Sequence, residues 1–253
     1  NIAKENNEMI IIGNSLTRNG INERILDKIL NKGQSKPIKA GVIYLDDTSI
    51  IEWYYLFKFY FYNKGIFPQK LVFNFALNQL SIQNFGFEEL QRVSSYVPLN
   101  QLYEICDQEK FNHSQIIDIY AAKLFRIVSH RERIAKQILN FIPNYKSVIR
   151  KLNSSILPEK QDLANKAKHV HLKKLIELID EAGVETIFCT MPLPKKYSID
   201  HEIISIIKNS KNCSIAGYHQ DKSFITKHFI DGYHLNSTGA KKFTTSYIEM
   251  ITN

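Results

Sequence analysis

The run Met9-Ile10-Ile11-Ile12 stops abruptly at Gly13-Asn14-Ser15, and apolar residues then return at Ile21, Ile25, Ile29 and Leu30. The first run is short, β-branched and closed by a glycine, the mark of a buried strand. The second set recurs at the spacing of one helix face. Strand, tight turn and helix in that order make the unit from which parallel sheets are built. The pattern repeats along the chain. Strands are expected at Met9–Ile12, Ile38–Tyr44, Leu71–Phe75, Thr186–Cys189 and Ser214–Ala216. Helices are expected at Ile50–Tyr62, closed by Asn63-Lys64-Gly65, at Ala167–Ala182 with Gly183 as its stop, and from near Ser237 through Ile251. The fold class that follows is α/β: a three-layer sandwich with a parallel sheet of about five strands and helices on both faces.

The stretch from about 81 to 166 breaks this alternation. Gln115–Phe125 and Arg131–Phe141 carry helical patterns, and no long Gly/Ser linker sets the stretch apart. It reads as a helical insertion, or lid, on one domain spanning residues 1–253.

Three stretches carry residues suited to chemistry. Ser15 sits where a hydroxyl can be held at the carboxyl edge of a sheet beside a helix start. On this stretch alone, a serine that only caps the helix is the commoner case. Asp231 and His234, three apart in Phe229-Ile-Asp-Gly-Tyr-His-Leu-Asn, fall on one side of a turn or first helical turn. There the aspartate can accept the Nδ1 proton and leave the other ring nitrogen to take a proton from a hydroxyl. His228 stands at the same spacing from Asp231 and competes for it. Asn78 follows the strand Leu71–Phe75, where a side-chain amide can donate to a developing oxyanion. Asn74, inside the apolar run, reads as a residue of the fold. Serine is a poor nucleophile without an adjacent base, so the three stretches mean more together than singly.

A serine after the first strand, an asparagine after the third and Asp-x-x-His before the last helix form an ordered set. It resembles the SGNH, or GDSL-like, hydrolase superfamily, with Gly13-Asn14-Ser15-Leu16-Thr17 as the first block and Asp231-Gly232-Tyr233-His234-Leu235-Asn236 as the last. Ile50–Leu56 with the basic-aromatic helix after it, Leu71–Leu80 and Thr190-Met-Pro-Leu-Pro are similar to the branch that includes bacterial cell-envelope polysaccharide O-acetyltransferases. The resemblance covers residues 8–80 and 184–252. It implies Ser15 as nucleophile, His234 as general base and then acid, Asp231 as its orienting partner, and an oxyanion hole from the Ser15 N–H, the Asn78 amide and a backbone N–H in the loop Tyr44–Ser49. The family places a glycine in that loop where this chain has Asp47, and an aspartate where it has Asn14. Any residue but proline keeps the N–H.

The expected activity is transfer of a small acyl group, most simply acetyl, on a carbohydrate or polysaccharide hydroxyl, with hydrolysis by the same triad as the alternative. A catalytically silent carbohydrate-binding module is the reading from another class. It is motivated by the Asp47 carboxylate beside the place where negative charge would develop. The formal charge of +8 favours an anionic partner, but Lys and Arg are scattered, so nucleic acid is not expected. Three cysteines without a CxxC argue against a disulfide framework or a thiolate metal site, and Cys189 reads as core. His169/His171 and Asp200/His201 lie at spacings that point side chains apart, so neither a metal nor another cofactor is expected. No apolar run reaches the ~20 residues of a membrane span. Because the sequence opens with Asn, an upstream anchor or domain is expected, and the resemblance favours the cell envelope as location.

Overall fold

The computed structural model describes residues 8–33, 35, 37–81, 85–124, 169–217 and 224–252. The chain forms two compact units, residues 1–84 with 168–253, and residues 85–167. In chain order the first unit opens with β1 (Met9–Gly13), α1 (Ser15–Gly20), α2 (Glu23–Leu30), β2 (Ala40–Tyr44), α3 (Ile50–Leu56) and β3 (Lys70–Phe75). The second unit contributes α4 (Phe87–Ser94), α5 (Leu99–Gln108) and α6 (His113–Leu124). The first unit resumes with α7 (Val170–Ala182), β4 (Glu185–Thr190), α8 (His201–Lys208), β5 (Cys213–Gly217) and α9 (Ser237–Thr252).

The five strands form one sheet in the order β2-β1-β3-β4-β5, and every neighbouring pair is parallel. This is the α/β sandwich expected from the alternation of strands and helices. The strand signal was strong because the central strands are buried on both faces, so their runs are apolar without interruption. Alternate residues go to opposite faces. Met9, Ile11, Val72, Ile187 and Cys189 join Leu26 and Leu30 of α2 and Phe243, Tyr247, Ile248 and Ile251 of α9 in one cluster. On the other face Trp53 of α3 stacks on Phe73 at 5.7 Å, Phe73 stacks on Phe188 at 5.4 Å, and α3 packs against α7.

Helix ends follow local chemistry. Gly183 ends α7 in the left-handed conformation, φ +66°, and its N–H donates to the Asp180 carbonyl. The expected helix from Ile50 to Tyr62 is α-helical only to Leu56, continues as a wider π turn over Phe57–Phe61 and ends as a 3-10 turn at Tyr62–Lys64. Apolar periodicity could not show this, because the segment is buried on nearly all sides.

In the second unit Leu90, Val93, Val97, Leu102, Ile105, Cys106 and Ile119 are buried. The Lys123 ammonium donates to the carbonyls of Ser94 and Val97 just past α4, and burial lowers its pKa. The helix expected at Arg131–Phe141 lies outside the described residues, as does the start of the one expected from Ala167. Among the described residues no helix is long and apolar enough to cross a membrane.

The strand order changes direction beside β1: β2 lies on one side of it and β3 on the other. The carboxyl ends of β1 and β3 flank this switch point, the place where ligands generally bind α/β sheets. Ser15 follows β1, Asp47 follows β2 and Asn78 follows β3, so all three leave the same edge of the sheet.

Candidate active site

Ser15 is the first residue of α1, and it does not cap it. Asn14 is the N-cap: its side-chain oxygen accepts from the Leu16 N–H at 3.0 Å. This overturns the reading in which Ser15 serves only the helix. It also gives Asn14 a defined job. Gly13 fixes how closely α1 approaches the sheet. A Cβ there would lie 2.0 Å from Thr17 Oγ1 and 3.2 Å from Asn74 Cβ, and both of those residues are fully buried.

The Ser15 Oγ lies 2.9 Å from His234 Nε2, across 219 residues of chain. His234 Nδ1 lies 2.8 Å from Asp231 Oδ2. An ionised carboxylate can only accept, so Nδ1 carries the proton and Nε2 faces the serine hydroxyl with its lone pair. The other Asp231 oxygen accepts from the backbone N–H of Tyr233 at 3.0 Å and of His234 at 2.8 Å. This is an Asx-type turn, aided by Gly232 at φ +79°. A bridge between Phe229 and Leu235 and the bond from the Ile230 N–H to the His234 carbonyl, 2.8 Å, close the loop behind the ring. The Tyr233 ring meets the His234 ring edge-on with centroids 5.2 Å apart.

His228 does not compete for Asp231. Its Nδ1 accepts from the Ile225 N–H at 3.2 Å, and burial, then Lys242 and Lys227, lower its pKa. Burial would raise the Asp231 pKa, but the hydrogen bonds from His234 and Tyr233 outweigh it and hold the carboxyl below its usual range.

Asp47 and Asn78 occupy turns whose backbones are under strain. Asp47 has φ +56° and Leu77, just before Asn78, has φ +52°. The left-handed region is one that glycine enters freely, Asp and Asn with little cost and leucine only at a cost of about 1 kcal/mol or more. Asp47 thus holds a backbone conformation that glycine adopts freely. Both residues are exposed. The Asp47 charge acts on Tyr233, whose pKa is raised first by burial, then by Asp47 and Asp231. Asn74 is fully buried and accepts from the Tyr247 hydroxyl at 2.8 Å, in keeping with a role in the fold.

No family model matches the chain, and no curated protein matches it. Among solved structures it is similar to the lipase Lip_vut3 from goat rumen metagenome, with 13% identity, TM-score 0.40, and coverage of 96% of this chain and 98% of that one. It is also similar to a lipase/acylhydrolase from Enterococcus faecalis, with 11% identity, TM-score 0.33, and coverage of 95% and 93%.

Two further residues brace the turns beside the site. Glu52, fully buried, accepts from the N–H of Ser49 at 3.0 Å and from its hydroxyl at 2.9 Å, which anchors the start of α3 behind Asp47. Gln79 bonds to both strained turns. The spacing Ser49-x-x-Glu52 is a capping-box pattern and could have revealed the first. A glutamine directly after Asn78 has no such local signature.

Burial raises the Cys189 thiol well above its ordinary value and pushes Cys213 up to about 12, so neither is a ready nucleophile. His169 is not on α7 but caps it at φ +59°. Among the described residues no group of three or more His, Cys, Asp or Glu could hold a metal ion.

Proposed function

We propose that this protein is a serine-dependent acyl-transfer enzyme in which Ser15, His234 and Asp231 form the triad. The supporting observation is the unbroken relay: Ser15 Oγ to His234 Nε2 at 2.9 Å and Nδ1 to Asp231 at 2.8 Å. Ser15 Oγ attacks the ester carbonyl carbon while Nε2 takes its proton. The carbonyl oxygen becomes an oxyanion, for which the Ser15 and Asp47 N–H groups and the Asn78 amide are the candidate donors. Collapse breaks the ester C–O bond, and the leaving alcohol takes the proton from Nε2. An acceptor hydroxyl then gives its proton to Nε2 and attacks the acyl-serine, releasing product and restoring Ser15. Asp231 fixes the tautomer and stabilises the imidazolium without itself becoming protonated.

The resemblance of the sequence blocks to envelope polysaccharide O-acetyltransferases favours acetyl as the acyl group and a carbohydrate hydroxyl as the acceptor. The second reading, carbohydrate O-acetylesterase, has its own support. The side chains of His234 and Asp231 are 24% and 40% exposed, so water can reach the acyl-serine. Partitioning decides between them. With an activated acetyl ester as donor and a panel of oligosaccharides, transfer gives O-acetylated sugars in excess of free acetate. Acetate alone, at every acceptor concentration, rules out the transferase reading.

A further inference from the structure

The turns that carry Asp47 and Asn78 are tied together by one side chain. Gln79 Oε1 accepts from the Ala76 N–H at 2.7 Å, and Gln79 Nε2 donates to the Thr48 carbonyl at 3.4 Å. The Gln79 backbone carbonyl accepts from the Ile50 N–H at 3.0 Å, a second tie between the same turns. Thr48 is itself held: its hydroxyl donates to the Leu45 carbonyl at 2.5 Å and accepts from the Trp53 indole at 3.0 Å. Trp53 is fully buried. The chain of bonds therefore runs from a rigid core side chain, through Thr48 and Gln79, to the backbone that enters the Asn78 turn.

This arrangement has a cost at Leu77 that a plain turn would not carry. Leu77 is held at φ +52° between Ala76 and Asn78, and Asp47 at φ +56° directly before Thr48. Such conformations persist only where surrounding bonds over-determine them. The Ala76–Gln79 bond closes the turn around Leu77, and the Gln79–Thr48 bond fixes that turn against the one bearing Asp47. Both links lie outside the regular elements, since β3 ends at Phe75 and α3 begins at Ile50. Both links join backbone next to Asp47 and Asn78.

We propose that Gln79 is a positioning residue for the oxyanion hole: its side-chain amide sets the two donors of adjacent turns against Ser15. The proposal rests on the acyl-transfer reading of the site. An oxyanion donor displaced by a few tenths of an ångström still binds the planar substrate but loses its bond to the tetrahedral oxygen. Loss of Gln79 should therefore act on kcat and leave KM nearly unchanged.

The test uses Gln79→Met, which keeps the length and removes both side-chain bonds, and Gln79→Glu, which can still accept from Ala76 but as a carboxylate cannot donate to Thr48. An activated acetyl ester is the probe, read as burst-phase acylation of Ser15 and as steady-state kcat and KM. Circular dichroism and Trp53 fluorescence check the fold. Gln79→Met should lower kcat by about 10- to 100-fold with KM within about twofold, a step below the ~100- to 1,000-fold loss of a donor itself. Gln79→Glu should fall in the same direction, and it carries the test if Gln79→Met does not fold. Because Gln79 acts through the turn, Asn78→Ala should cost less in the Gln79→Met background than alone. Native kcat in the folded variants, or penalties that multiply fully, overturns the positioning role and leaves the acyl-transfer reading standing. A native protein that forms no acyl-serine overturns both.

Discussion

Asp231 shows how much of a residue's behaviour is set by what donates to it. Three hydrogen bonds from Tyr233 and His234 converge on its carboxyl and hold its pKa below the ordinary range, despite burial acting the other way. A carboxyl with a lowered folded-state pKa stabilises the fold above its unfolded value of about 3.9. That contribution is lost as pH falls through the lower folded value. Asp231 should therefore stay ionised, and keep accepting from His234, below the pH at which an ordinary carboxyl takes up its proton. Asp231→Asn removes the acceptor that fixes the tautomer and should lower kcat by roughly 10³- to 10⁴-fold while the chain stays folded, measured by ester turnover and urea unfolding. Ser15, Asp231 and His234 were legible in the sequence because each sits in a short polar break between apolar runs. Gln79 was not. Its partners are Ala76 and Thr48, the latter 31 residues away, and no local pattern announces a bond across two turns. The capping role of Asn14 was likewise hidden, because Asn14 and Ser15 are both good caps and only the backbone decides between them.

At the scale of elements, the contact of α1 with β1 is what holds the hydroxyl at the sheet edge. Gly13 permits it: Thr17 fills the space where a side chain at position 13 would stand. Gly13→Ala should destabilise the protein by about 1–3 kcal/mol through overpacking. It should also lower kcat, since relief of the clash moves α1 and Ser15 with it. Urea midpoints and ester turnover measured together check this, and an unchanged midpoint contradicts the packing. The five strands were legible to within two residues at either end, because β-branched runs buried on both faces leave a simple trace. The wider turn at Phe57–Phe61 was not, since Phe57, Phe59 and Phe61 are all buried and give no polar face to count from. Gly65 at φ +61° and Gly183 at φ +66° ended their helices where the sequence placed the stops.

For the molecule as a whole, the site exists only when both ends of the chain are folded onto one sheet. Ser15 leaves the first strand and His234 precedes the last helix, so no fragment of the sequence carries the pair. Trp53 is the sole tryptophan and lies fully buried in the same unit, one hydrogen bond from Thr48. Its fluorescence and the reactivity of Ser15 should be lost together in one urea transition. Separate midpoints would mean that the site comes apart before the sheet does. The most direct measurement is the intact mass of the protein after treatment with a serine-directed phosphonate, followed by peptide mapping. One adduct per chain, located on Ser15, absent in Ser15→Ala and at least about 1,000-fold slower to form in His234→Ala, is the result predicted from the relay. No adduct on the folded native chain, or one that survives Ser15→Ala, contradicts it.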